Sequence, residues 1–274
     1  MTDQTSRPKP QQHDALGIAF VLLSGLGVVF LPTTAKLAYL DGSNVMTVAL
    51  ARGAIATVLL ALIAISLGQS LRLPAPLLRP SLIAGLGQVF FVYGVYAAIE
   101  SINISLALLI LYLYPIVLAI HQHLRGVIHI RPSQWLCALV ACCGLVMIVG
   151  LQVESTSFTG LALALMAMLA AVVITLSNVQ VTATMGSLAS NFYMSLWSLL
   201  VFLLALLLLG ELMIPRTLPG QLALMGNGVA YCVAWVGFFA GARILGATRA
   251  SMLSLAEPAI AAMGAWFLFG ETYT

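Results

Sequence analysis

The sequence predicts an all-α fold, a polytopic transmembrane helix bundle built from two inverted five-helix repeats. Three observations carry that expectation. Of the 274 residues, 62% are hydrophobic and only 7% charged, where an ordinary soluble domain carries roughly a quarter charged residues. The chain divides into nine apolar runs, each close to the roughly 20 residues needed to cross about 30 Å of hydrocarbon. Glycines and prolines of the second half also repeat those of the first at one offset of 143 residues.

Eleven Lys+Arg and eight Asp+Glu cannot cover a water-soluble globule of this size. Cytosolic enzymes, nucleic-acid binders and disordered chains all need far more charge, so these classes are excluded. A net charge of +3 is too small to recruit nucleic acid.

The tail, residues 1–14, is polar, carries Arg7 and Lys9, and leads directly into the first apolar run. That run is too long for a signal peptide and lacks an A-x-A-like exit, so the reading is an uncleaved anchor behind a cytoplasmic tail. The runs fall at about 15–38, 46–67, 80–99, 103–122, 133–151, 159–180, 189–209, 220–242 and 249–269. Turn and charge signals separate them: Asp41-Gly42-Ser43-Asn44, Pro74-Ala75-Pro76, Arg131-Pro132 and the stretch from Pro215 to Pro219. A β-barrel does not fit, because barrel strands alternate over only about ten residues.

Lys and Arg concentrate in loops on the cytoplasmic side. With the N-terminus inside, that side holds Arg7, Lys9, Arg72, Arg79, Arg125, Arg131, Arg243 and Arg249, leaving Lys36 and Arg216 outside. Asp41, Glu100, Glu154, Glu211 and Glu271 mark outer loops.

At the offset of 143, Gly17 meets Gly160, Pro76 meets Pro219, Gly85 meets Gly228, Gly94 meets Gly237 and Pro115 meets Pro258. Apolar coincidences are cheap in a membrane protein; ungapped Gly and Pro coincidences are not. The expected units are therefore a first repeat over 15–151 and a second over 158–274. Five helices is an odd number, so the second copy enters from the opposite face. The counterpart of the fifth run would lie at about 275–293, beyond Thr274. A tenth helix is thus expected to be missing, either because the chain is a fragment or because the helix was lost.

Several motifs fall on these repeats in order. Ala51-Arg52-x-x-x-Ala56 lies in the second run and Tyr96-Ala97-Ala98-Ile99 in the third. The fourth ends on Tyr114-Pro115, and Gln134-Trp135-Leu136 opens the fifth. The ninth reads Ser254-Leu255-Ala256-Glu257-Pro258 and is followed by Phe269-Gly270-Glu271-Thr272. In this order and spacing the chain resembles the EamA-type family of the drug/metabolite transporter superfamily over nearly its whole length. It departs at Ile128, where the family's closing motif would place a Glu, and at Ser24-Gly25, where many relatives have Trp-Gly. The resemblance implies a ten-helix secondary transporter of the bacterial inner (plasma) membrane with both termini cytoplasmic. It further implies export of small metabolites such as amino acids by alternating access. The expected partners are a small-molecule substrate and the lipid bilayer; no cofactor and no nucleic acid are expected.

Glu257 is the sharpest candidate. It stands eight residues from Arg249, roughly 12 Å into the bilayer at 1.5 Å per residue. A carboxylate there costs at least about 2.5–3.5 kcal/mol and faces an interior cavity as a rule. It reads as a substrate-amine or proton site, or as a carboxyl bonded to a neighbouring helix. Tyr114 is its repeat mate. Pro115 and Pro258 each free a mid-helix carbonyl and read as hinges or as static kinks. Arg52 reads as the site of a substrate carboxylate, as the partner of an acid during opening, or as a side chain snorkelling to the interface.

Tyr93 and Tyr96, and then Tyr231, Trp235 and Phe238, fall at helical spacing. They line a pathway or simply pack. Asn103 shares a face with Ala107 and Tyr114. Thr175 and Asn178 form a buried polar pair, either interhelical glue or substrate contacts. His121, His123 and His129 lack converging partners for a metal, and none is expected. Against a transporter stand an intramembrane enzyme, for which no catalytic motif is present, and a channel or sensor, for which no ring of like charges is evident.

Overall fold

A computed structural model of the chain describes residues 10–102, 104–129, 136, 143 and 157–257. These residues form helices and no strand. They are α1 (Pro10–Leu40), α2 (Val45–Ser66), α3 (Ala75–Ser101), α4 (Ile104–Leu111), α5 (Tyr114–Leu124), α6 (Phe158–Leu209), α7 (Leu218–Leu245) and α8 (Ala247–Ser254). The fifth expected run, 133–151, apart from Leu136 and Cys143, the ninth beyond Glu257, Asn103 and Pro258 lie outside the described residues.

Local sequence explains the boundaries. Asn44 caps α2, its Oδ1 accepting from Thr47 N at 2.8 Å. Ser157 and Thr217 cap α6 and α7 through the Gly160 and Gly220 amides. Proline near the first turn starts α3, α5 and α7, where its missing N–H is no loss.

α6 runs over 52 residues, about 78 Å at 1.5 Å per residue and more than twice the hydrocarbon thickness. Gly186 resolves the conflict. Its φ of 82° and ψ of 165° are open to glycine and closed to nearly every other residue. The run therefore folds as two limbs, 158–185 and 187–209, matching the sixth and seventh apolar runs. The fourth run is likewise not one helix, but breaks at Tyr112–Leu113 into α4 and α5.

Among the described residues six segments are long and apolar enough to cross a membrane: α1, α2, α3, α6, α7 and the broken α4–α5 stretch Leu106–Leu124. Leu23, Phe30, Val58, Leu62, Phe90 and Leu204 stand exposed on the outside of the bundle. Ser24, Arg52, Gln88, Thr175, Asn178, Asn191, Asn227 and Glu257 are buried inside it. This inside-out distribution is that of a multi-pass membrane protein, in which lipid covers the apolar exterior.

Two pairings dominate the packing, α1 with α7 and α3 with α6, and α1 runs antiparallel to α7 as α3 does to the first limb of α6. Their contacts recur at the sequence offset. A methyl carbon at Gly94 would lie 2.8 Å from Leu163 O and 3.0 Å from Ala167 Cβ; at Gly237 it would lie 3.1 Å from Phe20 O and 3.0 Å from Ser24 Cβ. Leu163 and Ala167 stand 143 residues after Phe20 and Ser24. Gly17 packs on Ile244 and Leu245 just as Gly160 packs on Ser101 and Ile102. Where side chains vanish, backbones approach closely, and the pairs gain dispersion contact that lipid cannot match.

Candidate functional site

The break between α4 and α5 has a counterpart. α8 ends at Ser254 and turns at Leu255–Ala256, each 143 residues after the end of α4 and its own turn. Both breaks precede an X-Pro step. Pro115 has no N–H to offer the Leu111 carbonyl, so the helix cannot run straight through. The breaks cross one another. Tyr112 packs on Leu255 with Leu109 and Met252 alongside. Tyr114 Oη shares a hydrogen bond of 2.9 Å with Ser254 Oγ, and Tyr112 Oη donates to Glu257 Oε2 at 3.3 Å.

Beside the crossing lies a cavity of about 70 Å³. Val28 of α1, Phe91 of α3, Leu111, Tyr112, Tyr114, Thr175 of α6, Trp235 and Phe238 of α7, and Glu257 form its walls. Glu257 is 5% exposed, and its stem rests on Gly25, where a methyl carbon would come within 3.0 Å of Glu257 Cγ. Pro32 removes the N–H that would bond the Val28 carbonyl, and Leu111 loses its partner in the same way. The cavity thus combines one carboxylate, two phenols, a threonine and an aromatic wall in which Phe91 meets Trp235 edge-on at 5.4 Å. Two proline-interrupted helices lie beside it. Such a site can hold a proton or a small cationic group and stack an apolar body.

The EamA-like transporter family model matches residues 15–150 and again 158–274. The chain belongs to the EamA-like transporter family. A search of curated proteins finds no match. Among solved structures, one described only as the crystal structure of a protein superposes with a TM-score of 0.74 at 16% identity, covering 96% of this chain and 91% of the other. That likeness extends to the fold.

In this EamA-like chain, Glu257, Tyr114 and Trp235 converge on one cavity. Arg52 does not reach its lining. It is buried at 3% exposure, so it does not snorkel. Its Cζ lies 4.8 Å from the Tyr231 ring centre and 5.9 Å from that of Tyr96. Tyr96 joins Arg52, with its hydroxyl donating to Asn227 Oδ1 at 3.0 Å. Asn178 is fully buried, and neither amide atom finds a partner; it stands one turn from the cavity-lining Thr175.

Tyr93 is a correction. It is 48% exposed and continues the outward stripe Ile83, Leu86 and Phe90, so it does not share the inward face of Tyr96. Three residues along a helix turn the side chain by roughly 60°, and α3 is apolar enough all round that the sequence does not say which edge meets lipid. Pro115 sits at the start of α5, where it marks a break between two helices and not a bend within one.

Tyr112 was missed. A straight helix through Tyr114 would carry Tyr112 away from that face, and only the break at 112–113 brings both phenols to the crossing. The available signal was the X-Pro step itself, which disfavours helical geometry at Tyr114. In the sequence Gly25 belongs only to the Ser24-Gly25 departure; its role as the seat of Glu257 is a spatial fact.

Proposed function

We propose that this EamA-like protein is a secondary active transporter that exports small metabolites such as amino acids by alternating access. In this reading its units 15–151 and 158–274 are the two inverted repeats of a ten-helix architecture, the second unit holding the counterparts of helices 6 to 9. It lies in the bacterial inner membrane with its N-terminus cytoplasmic. Glu257 binds the proton or the substrate amine, Tyr114, Trp235 and Asn178 contribute to the substrate path, and Pro115 and Pro258 act as hinges. The carrying observation is the buried Glu257 carboxylate lining a cavity at the crossing of two helix breaks. A carboxylate inside a membrane bundle is costly and persists where it handles a cation or a proton. Interrupted helices at a binding site are the usual architecture of secondary transporters.

The test is transport in proteoliposomes with a panel of radiolabelled metabolites, comparing the parent protein with Glu257→Gln. The amide keeps the shape and removes the charge. Counterflow is expected to fall at least about tenfold, the scale of losing a charge-assisted hydrogen bond of about 1.5–3 kcal/mol. Unchanged transport and pH dependence in Glu257→Gln would sink the proton or amine role.

A further inference from the structure

Arg52 poses a problem that the Glu257 cavity does not solve. Among the described residues, no carboxylate comes within ion-pair distance of it and no group accepts a hydrogen bond from its guanidinium, and its Nε is buried without a partner. Two ring faces are what it meets. Those rings are held in place. Tyr96 is tied to Asn227, whose Nδ2 donates to Leu31 O at 2.7 Å and to Thr34 Oγ1 at 2.8 Å. Tyr231 is fully buried, its hydroxyl likewise without a partner. A guanidinium keeps its proton in any protein environment, and contact with two rings does not replace its lost hydration. Its planar fork of donors matches an oxyanion, and that fork is unfilled.

We propose that Arg52, clamped between Tyr96 and Tyr231, is an oxyanion subsite of the transport path. It takes the anionic headgroup of a small organic acid, with the Tyr231 hydroxyl as an additional donor. This rests on the transport reading above and narrows its substrate class. The Tyr231 ring centre lies 6.2 Å from that of Trp235, and Trp235 forms the wall of the Glu257 cavity. Two rings therefore separate the cationic pole from the acidic one. One α-amino acid, whose charged groups are neighbours on a single carbon, does not fill both poles together. The anionic end docks on Arg52, the body lies along Trp235, and Glu257 remains for a proton or a distal cationic group.

Calorimetric titration of the purified full-length protein in nanodiscs tests this with three probes: benzoate, phenylphosphonate and the neutral isostere benzamide. Saturable binding of either acid, with benzamide at least about tenfold weaker, is the expected result, and the tighter acid tells a planar from a tetrahedral headgroup. Arg52→Gln weakens that acid at least about tenfold, and Arg52→Lys, which keeps the charge without the fork, falls between. Leu62→Ala, at an exposed position on the outside of the bundle, leaves the acid's affinity unchanged. Benzamide binding as tightly as both acids, no binding of either acid at millimolar concentration, or unchanged affinity in Arg52→Gln would each overturn the proposal. Should Arg52→Gln fail to fold, the isostere comparison on the parent protein and the Arg52→Lys variant decide. Because the readout is binding, a failed Glu257 transport test leaves this result standing, and loss of the Arg52 subsite leaves the Glu257 reading intact.

Discussion

The pairing of α1 with α7 and that of α3 with the first limb of α6 are built from residues 143 apart and touch at corresponding atoms. Their surroundings differ. At one end of the bundle, the α1–α2 loop and the first turn of α2 are tied to the α6–α7 segment by four hydrogen bonds. Thr217 N and Oγ1 donate to Asp41 Oδ2 at 2.8 and 2.9 Å, Asn44 Nδ2 to Glu211 O at 2.8 Å, and Met213 N to Thr47 Oγ1 at 2.8 Å. At the other end, the α2–α3 loop is tied to α6, among the described residues, through Tyr193 Oη and Leu71 O alone. At the crossing, one break presents Tyr114 to a serine and the other presents Glu257 to a tyrosine. Where the pairings agree, the contacts are backbone against backbone and specify the scaffold. Where they differ, polar chemistry has been added to it.

The deepest cut into the scaffold is Gly27→Ala. The added methyl carbon would stand 2.6 Å from Ala234 N and 2.7 Å from Ala230 O. Both atoms belong to a helix backbone and neither can rotate away. Relief requires α1 and α7 to separate, at a cost of about 3 kcal/mol, the upper end for overpacking. Gly226→Ala is the control, since its methyl meets only Thr34 Cγ2 at 3.7 Å and helix propensity favours alanine by up to about 1 kcal/mol. Thermal unfolding in detergent is expected to show a large fall in midpoint for the first and none for the second. Equal midpoints would mean that close approach is not what holds this pairing.

Gly94→Ala and Gly237→Ala then compare the pairings directly. Gly94 faces the Leu163 carbonyl oxygen at 2.8 Å, Gly237 that of Phe20 at 3.1 Å. Both substitutions destabilise, by about 1–2 kcal/mol, and Gly94→Ala is the costlier. Reversal of that order in the same unfolding experiment would show that the α3–α6 pairing yields more readily than its counterpart.

Much of this scaffold is legible in the sequence, because close helix approach in a membrane demands glycine and the glycines repeat at a fixed spacing. Gly17 with Gly160 and Gly94 with Gly237 stand out for that reason before any coordinates exist. The site is less legible. Glu257 and Arg52 are visible as charges inside apolar runs, where burial is costly. Tyr112 is invisible because its role depends on a helix break that shifts its direction. Tyr93 misleads because neither face of α3 is polar enough to mark the interior. Gln88 stands inside the third apolar run, but only the fold shows that it is fully buried with both amide atoms unpartnered.

The tied end of the bundle is probed by Asp41→Asn. The change keeps the shape but replaces a carboxylate that accepts two hydrogen bonds from Thr217. Gly220 allows that approach, since a methyl carbon there would run into the Asp41 carboxylate. These bonds are exposed, so the loss is about 1 kcal/mol, below the range for buried charged hydrogen bonds. The effect belongs to the end of the bundle and not to its core. Hydrogen exchange is expected to rise in 41–47 and 211–221 and to stay unchanged at 67–74. A uniform rise along α1 and α7 would mean that the tie supports the whole pairing.

The smallest change sharpens the comparison at the crossing. Tyr112→Phe removes one long hydrogen bond, at 3.3 Å, to Glu257 Oε2, and Tyr114→Phe removes one at 2.9 Å to Ser254 Oγ. By geometry alone the second bond is the stronger, so Tyr114→Phe costs more stability, about 1 kcal/mol against about 0.5 kcal/mol. Transport is expected to rank them the other way. The Tyr112 hydroxyl orients the carboxylate that takes the cation or proton, whereas the Tyr114 hydroxyl joins two helix ends. Counterflow in Tyr112→Phe should therefore fall several-fold with its pH profile displaced, while Tyr114→Phe keeps the parent profile. If both functions track stability, the two breaks are equivalent joints and Glu257 is one more buried polar group bonded across them. If they diverge as expected, the same joint serves as structure in one half of the crossing and as chemistry in the other.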